Sequence, residues 1–381
     1  MNSSRIAIVH ERFTEFGGSE LVVAEFMKTW PQAKVFAPIT EPHCRRQVME
    51  AAGRLDGTAH EPIHGTWLDN AYALTGRRSH APLLPLVPSA LGRLPLGNDL
   101  DAVLISHHSF ATQAAFATEA PIVAYVHSPA RWAWDRTFRD HEMASRAGRI
   151  ALSALGRLAR RGELRAAPRL SHVIANSHAV AERIREWWGL PSTVISPPVR
   201  IDRFSPDPSI PREDFYLCAG RLVPYKRADL AIRAAQRANC RLVVLGEGRF
   251  RDHLEAIAGP ETTFLGAASD EVLLDMYRRC RALLMPGVED FGIVPVEAMA
   301  CGTPVLALGA GGALDTVDPG VTGEHVQAGP DDAVMAQLAA LMRDFNPADY
   351  NTDAIRAQAC GFSPEAFRSR IADTVLGAVR A

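Results

Sequence analysis

The sequence predicts an α/β protein of two doubly wound domains, each a parallel sheet with helices on both faces. Three observations predict it. Short apolar runs of strand length alternate with amphipathic stretches of helix length along nearly the whole chain. The strand runs are near-continuous Val/Ile/Leu/Ala, as in RIAIVH, DAVLIS, PIVAYV and RLVVL, which suits strands covered on both faces. A Pro- and Asp-rich stretch at roughly 198–214, ending in IDRFSPDPSIPRED, separates two such sets of alternation. At 381 residues the chain is long enough for two domains of ordinary size.

Composition narrows the class. Hydrophobic residues make up 47% and charged residues 22%, which is ordinary for a globular protein. A formal net charge of -2 excludes a generally basic nucleic-acid binder, so no nucleic-acid partner is expected. The six cysteines are scattered without a CxxC pair and read as buried thiols, not as a disulfide frame or a zinc site. MNSSRIAIVHERF runs straight into a strand, and no apolar run approaches the ~18 residues of a membrane span. The expected location is cytoplasmic, at most peripheral on the inner face of the membrane.

In the first half, Arg5 to His10 is a buried strand followed by a glycine turn, Gly17 and Gly18. Ser19 is expected to cap a helix from Glu20 to Trp30. Strand, glycine turn and helix start make a place for an anion or close-packed ligand, although the spacing is not GxGxxG. A purely structural turn is the alternative. Lys34 to Pro38 is a second strand. Residues 56–98 read as irregular, rich in Pro, Leu and His, either touching lipid or packed on their own domain. Asp101 to Ser106 and Pro121 to Val126 are strands, and the second runs into His127 at the ligand edge. Arg139 to Arg169 carries eight arginines against three acids. Arg157, Arg160, Arg161 and Arg165 share one helical face and Leu152, Leu155 and Leu158 another, which suits either an anionic membrane surface or a solvated helix. Ser171 to Asn176 is a strand, Ser177 caps the next helix, and Thr193 to Ser196 is the last strand of this half.

The second half alternates again. FYLCAGRL is a strand to about Leu222, RADLAIRAAQRA a helix, RLVVLGEG a strand, DHLEAIAG a helix, TTFLG a strand, and SDEVLLDMYRRC a helix capped by Ser269. Arg281 to Pro286 is a strand, Gly287 to Gly292 a loop, Ile293 to Ala300 a helix with Pro295 in its first turn, and Val305 to Leu308 a strand. DDAVMAQLAALMRD and PEAFRSRIADTVLGAVR are the final helices.

The chemistry gathers on successive strand-to-helix loops of this half. Glu289 lies in the loop before the helix and Glu297 lies just inside it, so both carboxylates and the free amides of the helix start are expected to converge. Capping of a solvated helix is the plainer alternative. Arg221 and Lys226 follow an earlier strand, and two cations at one sheet edge can hold a diphosphate without a metal. GAGGALDTV, with Gly311 and Gly312, is a further glycine turn with amides suited to phosphate or a sugar hydroxyl.

Together EDFGIVPVEAMACGTPVLA, GRLVPYKRAD, GGALDTV, YVHSPARWAWD and the early GGSE turn resemble the retaining glycosyltransferases of family 4, with the GT-B fold, over nearly the whole chain. HSPARWAWD and EDFGIVPVEA are similar to a subgroup using GDP-mannose and lipid-linked oligosaccharides. The resemblance implies two Rossmann-like domains facing a cleft. Residues 1–197 would bind the acceptor, 198–362 would bind the nucleotide-sugar, and a C-terminal helix, 363–381, would pack back on the first domain. It implies that Arg221 and Lys226 neutralise the diphosphate leaving group. Glu289 would hold sugar hydroxyls with the amides near Phe291, Gly292 and Ile293. Glu297 would bind the ribose, His127 the donor sugar, and Gly17 and Gly18 would let backbone approach the donor phosphates and acceptor. Asp290 is an extra acid tied to donor selectivity. Asp315 stands where the family often has Glu and is given no ligand role.

The function so implied is transfer of a hexose, mannose from GDP-mannose as the best reading, with retention and without metal or other cofactor. The acceptor would be a glycan or polyprenyl-diphosphate-linked oligosaccharide in cell-surface polysaccharide synthesis. Two alternatives stand beside it. A nucleotide-sugar epimerase or hydrolase of the same fold would turn over donor without acceptor. A non-catalytic two-lobed sugar-binding protein would not need Arg221 and Lys226.

Overall fold

The computed structural model describes residues 4–54, 62–135 and 146–380. The chain divides into two compact units, residues 1–198 with 364–381, and residues 199–363.

The first unit holds a seven-stranded parallel sheet in the order β3-β2-β1-β4-β5-β6-β7. Its strands are β1 (Ile6–His10), β2 (Lys34–Phe36), β3 (Ile63–His64), β4 (Ala102–His107), β5 (Ile122–Val126), β6 (His172–Ala175) and β7 (Thr193–Val194). All of β1, β4 and β5 is buried, which is why these runs carry no polar alternation. The second unit holds a six-stranded parallel sheet, β10-β9-β8-β11-β12-β13. Its strands are β8 (Tyr216–Ala219), β9 (Leu242–Leu245), β10 (Thr262–Gly266), β11 (Leu283–Met285), β12 (Val305–Leu308) and β13 (Gly323–Val326). In each sheet the winding reverses once, between β1 and β4 and between β8 and β11. Loops leaving the carboxyl ends of those strands diverge there and open a crevice, the usual ligand site of a doubly wound sheet.

The helix Pro364–Arg380 completes the first unit. Phe367, Ile371 and Val375, spaced at i, i+4 and i+8, enter a core with Ile8, Phe26 and Tyr125. The Phe367 ring stacks on Phe26 at 5.8 Å and meets Tyr125 edge-on at 5.7 Å. Burying each such side chain contributes about 1.5–3 kcal/mol.

The structure revises several sequence readings. The first helix begins at Gly18 with Gly17 as its N-cap. Ser19 lies inside the helix, and its hydroxyl bonds the Glu20 carboxylate instead of capping. Residues 55–61 lie outside the described residues, but about half of the described part of the stretch read as irregular is helical. It contains the helices Trp67–Leu74 and Val87–Leu91 and the 3₁₀ helix Ala81–Leu86. Thr66 caps the first of these through Leu68 N at 3.1 Å. Pro82 and Pro88 stand in first turns, where no amide is needed, while Pro85 lies inside the 3₁₀ helix. Leu68, Tyr72, Val87 and Leu91 pack into the core, so this stretch is part of its own domain. The basic segment forms the helix Arg146–Ala166, with 139–145 outside the described residues. Its leucines do not share a face: Leu155 packs against the core while Leu158 is 37% exposed. Strand β13 and the helix Thr352–Cys360 had no counterpart in the sequence reading.

Candidate functional site

In the second unit, β8 and β11 deliver the charged residues at the point where the winding reverses. After β8 the chain turns at Gly220, whose φ of +132° excludes most side chains, and makes the 3₁₀ turn Pro224–Lys226. After β11 it passes Gly287 so closely that a Cβ there would lie 2.7 Å from the Lys226 backbone. This near-contact holds the two loops together. Lys226 Nζ lies 2.7 Å from Glu289 Oε1, with both side chains largely buried. Burial pulls the Lys226 ammonium down, but attraction to Glu289 and Tyr225 more than offsets it, so the net shift is upward and the charge is retained. Arg221 is exposed at the same edge. Asp290, next to Glu289, is half-buried.

The helix Ile293–Ala300 starts from Gly292, whose φ of +93° turns the chain sharply into it. The amides of Phe291, Gly292 and Ile293 have no acceptor among the described residues. Beside Glu289 they form a cluster of donors and an acceptor suited to hydroxyl groups. The Phe291 side chain is not part of it, being 3% exposed in the core against Phe362. Glu297 is 8% exposed and accepts a hydrogen bond from the Tyr277 hydroxyl at 3.3 Å. Burial raises its carboxyl to about 7, against the opposing pull of Arg200 and the Tyr277 bond. The two carboxylates thus have different partners, Lys226 for Glu289 and Tyr277 for Glu297.

The glycine turn after β12 has a packing task besides the one read in sequence. Gly312 N donates to Glu289 O at 2.9 Å, so this amide is already used. A Cβ at Gly311 would lie 2.3 Å from Glu289 O, and one at Gly312 would lie 2.1 Å from Phe291 O. These glycines let the turn lie directly against the Glu289 loop and set its position.

In the first unit, β1 and β4 end in polar residues at the carboxyl edge, and β5 runs into one. The register pairs His10 with Ser106, and His127 follows directly after β5. Ser106 Oγ lies 2.8 Å from His127 Nε2 and 3.0 Å from His10 Nδ1. His10 Nε2 lies 3.1 Å from Glu20 Oε1. Burial, aided by neighbouring His10, pushes the His127 imidazole down to about 3, so it is neutral. Gly17 N donates to Glu20 Oε2 at 3.0 Å, which removes this amide from those expected to face a phosphate. Gly17 has an extended backbone and a Cβ there would meet only ordinary contact, so neither torsion nor packing requires glycine. Sequence reasoning found His127 but missed His10, Ser106 and Glu20. The available signal was a polar residue closing each of the apolar runs RIAIVH and DAVLIS. Two further buried acids serve the fold. Glu11 accepts from the amides of Ser109, Phe110 and Ala111, and Glu163 from His107, Ala130, Trp134 and Trp188.

Comparison with known proteins places this geometry. Residues 16–203 match the family model described as Glycosyltransferase Family 4, and residues 201–357 match Glycosyl transferases group 1. The chain is 32% identical over 251 residues to a D-inositol 3-phosphate glycosyltransferase of Kribbella flavida, covering 58% of each. It is 33% identical over 178 residues to a GDP-mannose-dependent alpha-(1-6)-phosphatidylinositol monomannoside mannosyltransferase of Mycolicibacterium smegmatis, covering 39% of this chain and 47% of that protein. These matches span less than two thirds of the relatives' length. The fold is that of Anabaena HepE, solved with UDP and glucose, at a TM-score of 0.71 and 20% identity, covering 98% of this chain and 100% of that one.

Proposed function

Because the chain belongs to the family 4 glycosyltransferases of GT-B fold, we propose that it is a retaining hexosyltransferase that uses a nucleotide-sugar donor and needs no metal ion. The observation that carries this reading is the Lys226–Glu289 pair at the winding reversal of the second sheet. In it, Lys226 and the exposed Arg221 receive the donor diphosphate and stabilise the charge that grows on it as the glycosidic bond breaks. Two cations at one strand edge supply what a divalent ion would otherwise bring. Glu289 and the amides of Phe291, Gly292 and Ile293 hold the transferred sugar. Glu297 accepts from the ribose, and His127 contacts the donor sugar. Gly17 and Gly18 leave room for phosphate or acceptor, and Asp290 tunes donor choice. Gly311 and Gly312 set the position of the Glu289 loop, and the Gly311 amide is offered to phosphate or a sugar hydroxyl. The leaving phosphate takes the acceptor's proton, so no second carboxylate is needed as base.

Mannose from GDP-mannose is the preferred donor, on the strength of the mannosyltransferase relatives, and a lipid-linked glycan is the preferred acceptor. A membrane-facing surface suits such an acceptor. On the helix Arg146–Ala166, Ile150, Leu158 and Leu164 are exposed together with Arg157, Arg161 and Arg165, which is the pattern of a helix lying on anionic lipid. Among the described residues no helix is long and apolar enough to cross a membrane.

The test is calorimetric titration with GDP-mannose and UDP-glucose, followed by transfer to a lipid-linked acceptor with and without EDTA. Donor-dependent transfer that survives EDTA supports the proposal. Donor turnover without acceptor points instead to an epimerase or hydrolase. Binding without any turnover points to a sugar-binding protein.

A further inference from the structure

Four side chains from four elements of the first unit are joined end to end. Glu20 Oε1 meets His10 Nε2, His10 Nδ1 meets Ser106 Oγ, and Ser106 Oγ meets His127 Nε2, at 3.1, 3.0 and 2.8 Å. His10, Glu20 and Ser106 are buried and His127 is half-buried. The far end is anchored, since Glu20 Oε2 also accepts from Gly17 N and Ser19 Oγ. At the near end, His127 Nδ1 has no hydrogen-bond partner among the described residues. The His108 ring faces both imidazoles, 6.1 Å from His10 and 6.4 Å from His127.

The chemistry of these groups orders the protons. An ionised Glu20 can only accept, so His10 Nε2 carries a hydrogen. In the order proposed below, Nε2–H is the one ring proton of His10, so its Nδ1 takes the hydroxyl proton of Ser106. Serine has only one proton to give, so Ser106 Oγ must accept from His127 Nε2. We propose that Glu20, His10 and Ser106 are positioning residues that hold His127 as its Nε2–H tautomer, leaving Nδ1 as a fixed acceptor for one hydroxyl of the donor sugar. This rests on the reading that His127 meets the transferred sugar.

The arrangement has a consequence for catalysis. A hydroxyl that donates to Nδ1 becomes more electron-rich at oxygen, which favours positive charge at the neighbouring reacting carbon. The bond therefore strengthens in an oxocarbenium-like transition state, and its loss appears in kcat more than in KM. An acceptor held ready by its neighbours needs no reorientation as the charge develops.

The experiment uses ¹⁵N-histidine-labelled full-length protein. The wild type is expected to show His127 with Nε2 protonated and Nδ1 bare. Ser106→Ala is expected to give mixed tautomers and a loss of about tenfold in kcat, with donor KM within about twofold. Ser106→Thr, which keeps the hydroxyl, is expected to restore both. Should Ser106→Ala fold poorly, Glu20→Gln gives the same spectral readout, because its amide no longer dictates which His10 nitrogen is protonated. A wild-type His127 protonated at Nδ1, or a tautomer that both variants leave unchanged, overturns the proposal. Unchanged kinetics in His127→Ala would instead defeat the sugar contact itself, and the spectra of the wild type and Ser106→Ala would still decide the relay.

Discussion

Lys226 and Glu289 form one ion pair, 2.7 Å between Nζ and Oε1, although the proposed roles divide them between diphosphate and sugar. They come from the loops after β8 and β11, neighbouring strands where the winding of the second sheet reverses. The lysine is thereby kept charged in a largely buried place, and the carboxylate is kept from standing alone there. A donor that offers phosphate to Lys226 and hydroxyls to Glu289 replaces one satisfied arrangement with another.

Breaking this pair from either side should cost stability and activity unequally. Lys226→Ala and Glu289→Gln should each destabilise by about 1–3 kcal/mol, because each leaves a partner group poorly paired. The double variant should be less unstable than the sum by about 1 kcal/mol in urea unfolding. Transfer should fall about 100-fold or more in either single variant and show no rescue in the double. Normal donor binding and turnover in Lys226→Ala would remove the diphosphate assignment.

Glu297 should make both stability and donor binding depend on pH. Its carboxyl titrates near 7 in the folded chain against an ordinary 4.5, so between these values the folded state holds the extra proton. Stability should therefore fall as pH rises from about 4.5 to 7, by up to about 3 kcal/mol from this group. Glu297→Gln should flatten that slope. A ribose bonded to the carboxylate would bind more tightly as pH rises through 7. Calorimetric affinities from pH 6 to 8 that do not change, or that change equally in Glu297→Gln, would separate this residue from the ribose.

Gly312→Ala should act on the sugar station at a distance from any ligand. The new methyl would collide with the Phe291 carbonyl and disturb the amide bond to Glu289 O. A loss of about 2–4 kcal/mol in thermal unfolding is expected, with weakened donor binding. Gly329→Ala, where nothing lies within 4 Å, is the control and should change neither.

The exposed face of the helix Arg146–Ala166 can be tested without substrate. Sedimentation with vesicles containing anionic lipid should decrease on added salt and in an Arg157→Glu, Arg161→Glu variant, while neutral vesicles should bind weakly throughout. Equal binding to both vesicle types would point away from headgroup charge.

Much of the fold was legible because it is written in local pattern. Continuous apolar runs such as DAVLIS and RLVVL could only be buried strands, and Ser177 and Ser269 announced helix starts that both side chains do cap. Pro82 and Pro88 misled because the same residue that breaks a helix interior also opens a first turn. Ser19 misled because capping depends on backbone geometry, which placed Gly17 at that position.

The sequence by itself determined the two parallel sheets and the carboxyl edges at which Arg221, Lys226 and Glu289, in one sheet, and His127, in the other, emerge. Strand periodicity and connection length fix which ends of the strands carry the loops, and no long-range contact is needed to know it. Only the tertiary structure decided what those residues do to one another. It paired Lys226 with Glu289, sent Glu297 to Tyr277, spent the Gly312 amide on the Glu289 loop, and joined His127 through Ser106 and His10 to Glu20. The physical reason is that hydrogen bonds and charge pairs reach only about 3 Å, so they depend on strand order, register and loop packing that one-dimensional spacing does not contain.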